Sequence, residues 1–248
     1  MSRAPTIIKL EPKTLEAFRA YVRDAEEGMQ PTLAPDGSFL WSDGNPERTR
    51  KILKGDIEAQ LWTGSKPVSI PDGLIHDWIG AAFAPGASVE KTLHMVQNYD
   101  NHKNIYKPEV VDSKLISHEG NDYQIFLRLL KKKIITVVLD TDHDVHYSHI
   151  GGKRWFCRSY TTRIAEVDDP GTAKEQVMPA DEGYGFLWRL YSYWKFEEKD
   201  AGVFLECRAI SLTRDVPFGL AWIIDPIIRK LPKESLINTL AATRKALE

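Results

Sequence analysis

Aspartate and histidine crowd one short stretch of the chain, DTDHDVHYSH at 140–149, and both residue types are common metal ligands. In an extended strand Asp144 and His146 share one face, while His143 and His149 point away from it. Zinc and iron sites need three or four ligands that converge on one point. Because a strand and a turn do not bring these side chains together, the pattern favours a polar, exposed hairpin arm. We therefore expect no metal and no other cofactor.

Arg163 is a second candidate for chemistry, within a strand predicted at 153–167. In a straight strand it shares its face with a row of small and partly polar residues, namely Cys157, Ser159, Thr161 and Ala165. If that row lines a cavity, the guanidinium can bind a ligand carboxylate or phosphate through two hydrogen bonds. The alternative is an arginine paired with a surface acid, and the sequence leaves both open. Glu166 lies on the opposite face of the same strand.

The richest aromatic stretch is GFLWRLYSYWKFEEKDAGVFLECRAISLTRD at 185–215. Its alternation predicts two strands joined by a turn at 199–202, with residue 198 facing residue 203. One face then combines large aromatic and small side chains: Trp188, Leu190, Ser192, Trp194, Phe196, Leu205, Cys207, Ala209 and Ser211. The opposite, more polar face carries two favourable cross-strand pairs, Lys195 with Glu206 and Tyr193 with Arg208.

The aromatic face has two interpretations. A cavity lined by aromatic side chains with a few polar groups is the usual form of a small-molecule site. Equally, Trp188 and Trp194 could simply fill a large core, because aromatic residues dominate cores in general. The residue types alone favour the second interpretation, in which the two tryptophans fill a core.

Other chemical signals are weak. Cys157 and Cys207 are too few and too far apart in the sequence for a disulfide framework or a zinc site, so we expect two small buried residues. No GxSxG, HExxH or P-loop motif is present. Lys131, Lys132 and Lys133 could form a basic rim that meets anionic lipid headgroups, although lysines guarding a strand edge are the more common explanation.

Composition limits the class of protein. The 248 residues carry a net charge of −2, which gives no indication of nucleic-acid binding. No apolar run is long enough for a membrane span, and the N-terminus lacks the apolar core of a secretory signal. We expect a soluble protein, cytoplasmic as the sequence stands and exported if a signal peptide has been removed.

The elements that would position these residues follow from the periodicity. An amphipathic helix is predicted at 13–28, a strand at 74–85 and a helix at 88–99 that begins at Ser88. From residue 109 the period changes to two, and Gly120-Asn121 and Gly151-Gly152 mark hairpins. The C-terminal residues 233–248 form a helix with one face made of Leu236, Leu240, Thr243 and Leu247, and Pro226 should break or kink the segment before it. Consecutive strands joined by short turns favour an antiparallel sheet.

This order resembles the helix-grip fold of the START-like superfamily, which includes lipid-transfer domains, polyketide cyclases and plant pollen allergens. Several local phrases are similar to a bacterial group within it: DGLIHDWIGAAFAPGASVEKTLHMVQNYDNHKNIYKPEVVDSKL, FLRLLKKKIITVVLD, RSYTTRIAEV, GFLWRLYSYWKFEE and AISLTRDVPFGLAWIIDPII. The resemblance implies an α+β domain at 72–248, in which a curved antiparallel sheet wraps around a long C-terminal helix and leaves a hydrophobic cavity. Residues 1–71 would be an N-terminal helical extension and linker. No catalytic motif comes with the resemblance.

Three functions follow as hypotheses. The first is binding or transport of a hydrophobic small molecule or lipid in the cavity. Its expected ligand-binding residues are Trp188, Trp194, Leu190, Leu205, Cys207, Ala209, Arg163, Thr161 and Ser159. The second is an enzyme of cyclase, aromatase or hydrolase type that uses the same cavity, with an acid–base group such as Glu166 or a histidine beside an arginine. The third is an interaction module in which helix 13–28 packs on a partner.

Overall fold

A computed structural model describes residues 7–62, 64–132, 136–215 and 221–248, with side chains in the last helix from residue 231 onward. Its α-helices are α1 Pro12–Met29, α2 Pro46–Leu53, α3 Val89–Val96, α4 His102–Ile105 and α5 Ala221–Leu247. Its strands are β1 Ile8–Lys9, β2 Glu58–Leu61, β3 Val68–Ile70, β4 Gly73–Pro85, β5 Val110–Glu119, β6 Asp122–Lys132, β7 Thr136–Gly151, β8 Arg154–Asp168, β9 Gln176–Val177, β10 Glu182–Gly183, β11 Arg189–Lys199 and β12 Gly202–Arg214.

Ten of these strands form one sheet. Its order is β2-β4-β12-β11-β8-β7-β6-β5, with β3 added to β4 and β9 added to β8, and every pairing is antiparallel. Strands β5 and β6 join through a tight turn, as do β7 and β8, where the glycine signals predict hairpins, and β11 and β12 join in the same way. A large antiparallel sheet followed by a long C-terminal helix confirms the predicted α+β, helix-grip architecture.

The register of β11 and β12 confirms the predicted turn. Glu198 pairs with Val203 and Trp194 with Cys207. The two turn residues between the strands, Asp200 and Ala201, have φ angles of 56° and 59°. Two successive positive φ values are the geometry of the tight hairpin turns that match strand twist. Because a one-residue slip would exchange the two faces, this turn decides which side chains face the last helix.

The inner face of the sheet is the one covered by α3 and α5. Leu236, Leu240 and Leu247 of α5 pack in one cluster with Trp78 and Leu205 of the sheet, and these three leucines and Thr243 are buried, as predicted. At Gly80 of β4 an added Cβ would lie 2.9 Å from Leu240 Cδ1, so the helix seats closely against this strand. The assigned helix α5 runs through Pro226 without a break. Residues 216–220, part of the segment predicted before it, lie outside the described residues.

The outer face of the sheet is covered by the N-terminal residues. Phe18 and Val22 of α1 pack on Ile75, Ile210 and other apolar residues of β4, β11 and β12. A neighbouring cluster packs Phe39, Leu40 and Ile52 against Phe83 and Phe204. Helix α1 therefore buries its apolar face on its own sheet, and the interaction-module hypothesis loses its support. None of the helices within the described ranges has the length and apolar character needed to cross a bilayer.

The polar side of β11 and β12 lies beneath this cover and is buried. Lys195 Nζ donates to the Thr32 hydroxyl and to the Phe39 carbonyl, each at 2.7 Å. Glu206, directly opposite Lys195, accepts from the Trp41 backbone N–H at 2.7 Å. The predicted cross-strand pairing of Lys195 with Glu206 is confirmed, and these groups tie residues 32–41 to the sheet.

Glu206 gives stability a specific pH dependence. Burial raises its pKa from 4.5 to about 7, against the opposing effect of Lys195. The native state therefore holds this proton more tightly than the unfolded chain, so the contribution of Glu206 to stability falls as pH rises from about 4.5 to about 7. We expect this loss to be about 2–3 kcal/mol and to be absent in Glu206→Gln. Urea denaturation of both proteins at pH 5 and pH 7.5 measures it, with the exposed Glu16→Gln as control. Equal pH slopes for wild type and Glu206→Gln would contradict the assignment.

Candidate ligand-binding trough on the inner face

The three central strands bring small side chains together on the inner face. Ser192 of β11 pairs with Ala209 of β12 on one side and with Ser159 of β8 on the other. The next inner position along β11 is Trp194, which pairs with Cys207 and Cys157. A row of small residues thus lies beside a large flat one, because side chains of the same parity share a face.

This part of the inner face stays accessible although it lies at the centre of the sheet. Several inner-face residues are only partly buried, and five of them are neighbours on β8, β11 and β12: Ser159, Leu190, Ser192, Trp194 and Ala209. On the outer face the neighbours of Trp194 and Ala209 are buried, among them Tyr193, Lys195 and Arg208, whereas those of Ser159 and Leu190 are partly or fully exposed. Central-strand residues are normally buried, so these five partly exposed positions are the candidate site on this face. We call these five residues the trough.

The trough is closed at one end. Leu205, Cys207, Cys157 and Phe196 are buried in the cluster that also contains Leu236, and the Trp194 and Phe196 rings stack at 5.8 Å and 14°. Burial raises the pKa of the Cys157 thiol to about 12 and that of Cys207 well above its usual value. Both cysteines are therefore un-ionised packing residues, as predicted. Leu205 and Cys207, two of the expected ligand-binding residues, are buried in this cluster.

Arg163 does not face the inner side, and this corrects the sequence analysis. Asp142 pairs with Arg163, but its neighbour His143 pairs with Thr161, so Thr162 is one extra residue in β8. Such a bulge moves every later side chain of the strand to the other face. Arg163 therefore lies on the outer face, 3.4 Å from the Asp142 carboxylate and partly exposed. The surface-pair alternative is the one that the structure contains.

The same bulge turns Glu166 to the inner face, where it holds a loop. Its carboxylate accepts the backbone N–H groups of Tyr184, Gly185 and Phe186 at 2.7–3.0 Å. Burial raises the Glu166 pKa, and these three donors counter that rise. The carboxylate oxygens are thus engaged by the backbone, and the arginine whose charge acts on Glu166 is Arg214, not Arg163.

Trp188 also differs from its predicted position. It precedes the paired residues of β11, and its N–H donates to the Leu212 carbonyl at 2.7 Å. Its ring is buried with Phe18 and Ile210 in the outer-face cluster. The alternation that places Leu190 and Trp194 inward begins only at Arg189, so Trp188 does not share their face.

The aspartate and histidine stretch is divided between the two faces of β7. On the outer side Asp140 pairs with Arg128 at 2.6 Å and His146 contacts Asp122 at 2.7 Å. His143 instead lies buried on the inner face, next to Thr141 and Ser159. Within the described ranges no three His, Cys, Asp or Glu side chains are grouped as metal ligands would be. The prediction of an exposed arm is wrong for His143 and for the buried Asp140.

The lysine rim is only partly described. Lys131 forms an ion pair with Glu109, Lys132 is exposed, and Lys133 lies outside the described residues. Contact of this rim with anionic lipid stays a prediction.

Comparison with known proteins finds no matching family model and no matching curated protein. Solved structures do match. One is a STAR-related lipid transfer protein from Xanthomonas axonopodis, with 15% identity, a TM-score of 0.47, and coverage of 74% of this chain and 97% of that one. Another is human STARD10, with 10% identity, a TM-score of 0.45, and coverage of 87% and 84%. A third is the Zhui aromatase/cyclase of a Streptomyces species, with 7% identity, a TM-score of 0.43, and coverage of 69% and 93%.

The fold is START-like. This assignment follows from the strand order and the C-terminal helix of the chain itself. Structural similarity at such low identity says nothing about ligand or activity.

Proposed function

We propose that this protein binds, and in that way carries, a hydrophobic small molecule or lipid in the trough. The observation that supports the proposal is the partial exposure of Leu190, Trp194 and Ala209 at the centre of the inner face. Leaving an indole and a leucine accessible at a central position forgoes the burial that usually stabilises such residues. A bound apolar molecule would restore that burial, which is the physical reason for preferring a guest over an empty groove.

The side chains of the inner face suit a binding function better than catalysis. Catalysis of cyclase or hydrolase type needs ionisable groups within reach of the substrate. The two inner-face histidines near the trough, His76 and His143, are buried and hydrogen-bonded to the hydroxyls of Thr213 and Thr141. Burial lowers the pKa of His143 to about 4, which makes it a weak base at neutral pH. The trough itself offers apolar and hydroxyl groups.

The test is uptake of a hydrophobic probe by the full chain. We expect N-phenyl-1-naphthylamine to bind with saturable fluorescence enhancement, because its rings match the apolar trough. Native mass spectrometry of the purified protein before and after organic extraction would show whether a guest co-purifies and occupies the same space. Failure of the extracted protein to take up any apolar probe would contradict the proposal.

A further inference from the structure

Three hydrogen bonds in sequence fix the direction of the Ser159 hydroxyl. Thr141 Oγ1 lies 2.9 Å from the Leu127 carbonyl, and since a carbonyl only accepts, the threonine proton points there. Thr141 Oγ1 must then accept from His143 Nε2, also at 2.9 Å. That leaves His143 Nδ1 as an unprotonated acceptor, 3.3 Å from Ser159 Oγ. The Ser159 proton is therefore directed at His143, away from the trough.

The neutral state of His143 agrees with this arrangement. Its ring is buried, and burial together with nearby His102 lowers its pKa to about 4. At neutral pH the imidazole carries one proton, on Nε2, where Thr141 accepts it.

As a consequence, Ser159 presents only oxygen lone pairs to a guest. Its cross-strand neighbour Ser192 makes no hydrogen bond within the described part of the chain and can donate its own proton. Two adjacent hydroxyls, one acceptor and one donor, match a group that both donates and accepts at a single oxygen. An alcohol or phenol O–H is such a group.

The residues of the strands disfavour an anionic ligand, which is the main alternative to a neutral one. The inner-face positions of β8, β11 and β12 carry no lysine or arginine, and Arg163 lies on the other side of the sheet beside Asp142. A carboxylate or phosphate beside Ser159 would face its lone pairs with no cation from these strands, which is costly. Among the described residues of α5, Lys233 lies over the Trp78 ring at the Ala209 edge.

We propose that the trough selects neutral hydrophobic molecules that carry a hydroxyl group, with the ligand O–H donating to Ser159 and accepting from Ser192. This inference rests on the proposed function and narrows its ligand class. Under it, Ser159 and Ser192 determine specificity, and Thr141 and His143 are positioning residues.

Three matched probes test the selectivity: 2-naphthol, naphthalene and 2-naphthoate, each measured by displacement of N-phenyl-1-naphthylamine. We expect Ser159→Ala to lower the affinity for 2-naphthol by about fivefold to tenfold, which corresponds to the loss of one hydrogen bond. The affinity for naphthalene should change by less than about twofold. The matched control is Ser148→Ala, a serine on the outer face of β7, which should change neither affinity. For wild type, 2-naphthoate should bind most weakly.

The outcomes separate this inference from the proposed function. If the fluorescent probe and all three naphthalenes fail to bind, the proposed function fails. If naphthalene binds but 2-naphthoate is preferred, or Ser159→Ala weakens naphthalene as much as 2-naphthol, only the hydroxyl selectivity is overturned. An independent readout is the ¹⁵N spectrum of the imidazoles at pH 7, where His143 should be the Nε2–H tautomer. Observation of the Nδ1–H tautomer would refute the proposed orientation of Ser159.

Discussion

Replacing Arg208 with methionine is expected to lower the free energy of unfolding by about 3–5 kcal/mol. Arg208 forms two hydrogen bonds with the Asp77 carboxylate, at 2.9 and 2.6 Å, and the Asp77 side chain is 0% exposed. Tyr21 of α1 donates to the same carboxylate at 2.7 Å. Without the guanidinium the carboxylate is left in a buried site with one donor. Chemical denaturation at pH 7, followed by far-UV circular dichroism, measures the loss.

Two further variants show whether burial of the pair causes this effect. Arg163→Met breaks an ion pair with Asp142 on the same outer face, but both side chains there are about 40% exposed, so a loss below about 1 kcal/mol is expected. The double variant Asp77→Asn with Arg208→Met removes both charges and keeps an acceptor for Tyr21, and it should recover most of the stability. If Arg208→Met costs no more than Arg163→Met, the pair does not hold α1 to the sheet as described.

The sequence predicted the inner face of β11 and β12 because two local signals agreed. Strict alternation of large and polar residues defined two faces, and a two-residue turn left one register consistent with both. The placement of Trp194 opposite Cys207 therefore follows from local chemistry alone. The same holds for the C-terminal helix, whose apolar face repeats at helical spacing.

The position of Arg163 could not be predicted in that way. The segment TTRIAEV contains no glycine or proline, so nothing in it marks the extra residue at Thr162. The bulge is a property of pairing with β7, and it reversed the faces of Arg163 and Glu166. The predicted face of Trp188 was wrong for a related reason, since that face depends on where pairing with β12 begins. His143 was missed because two of its neighbours in the stretch, Asp142 and Asp144, face the other way.

The outer face shows a further limit of local patterns. Alternation in β11 and β12 identified a polar face but could not show that it is buried. Lys195, Glu206 and Arg208 are covered by residues far away in the sequence, between Tyr21 and Trp62. Residues 58–61 and 68–70, predicted as part of an extension and linker, also pair with β4. Only the long-range packing reveals that this polar face is buried.

Packing on the outer face holds the strands that carry the trough on the inner face. The outer face is covered by α1, and the buried Arg208–Asp77 ion pair joins β12 to β4 on that side. Strands held on one face can keep small side chains on the other, because their position does not depend on inner-face packing alone. Binding at the trough should therefore respond to changes in shape more than to changes in overall stability.

Replacing Ala209 with tryptophan should reduce affinity for N-phenyl-1-naphthylamine by about tenfold or more, because the indole would occupy the space that the probe needs. Ala209 lies between Ser192 and Trp78 in the sheet and is only partly buried, so its added side chain enters the trough. The variant should fold, since the added ring takes the place of the guest. Fluorescence titration and thermal unfolding of the same samples give both results.

The matched control is Ala173→Trp, which adds the same ring in an exposed loop and should leave probe affinity unchanged. The two variants have equal composition, so a difference between them reports position alone. If Ala209→Trp binds the probe as tightly as Ala173→Trp, the guest does not sit over β12. If Ala209→Trp fails to fold while Ala173→Trp is stable, the space beside Ala209 is filled by the protein itself, because overpacking of a closed core destabilises the native state. In either case the trough would not be the binding site, whereas a folded variant with weakened binding would place the guest against the centre of the sheet.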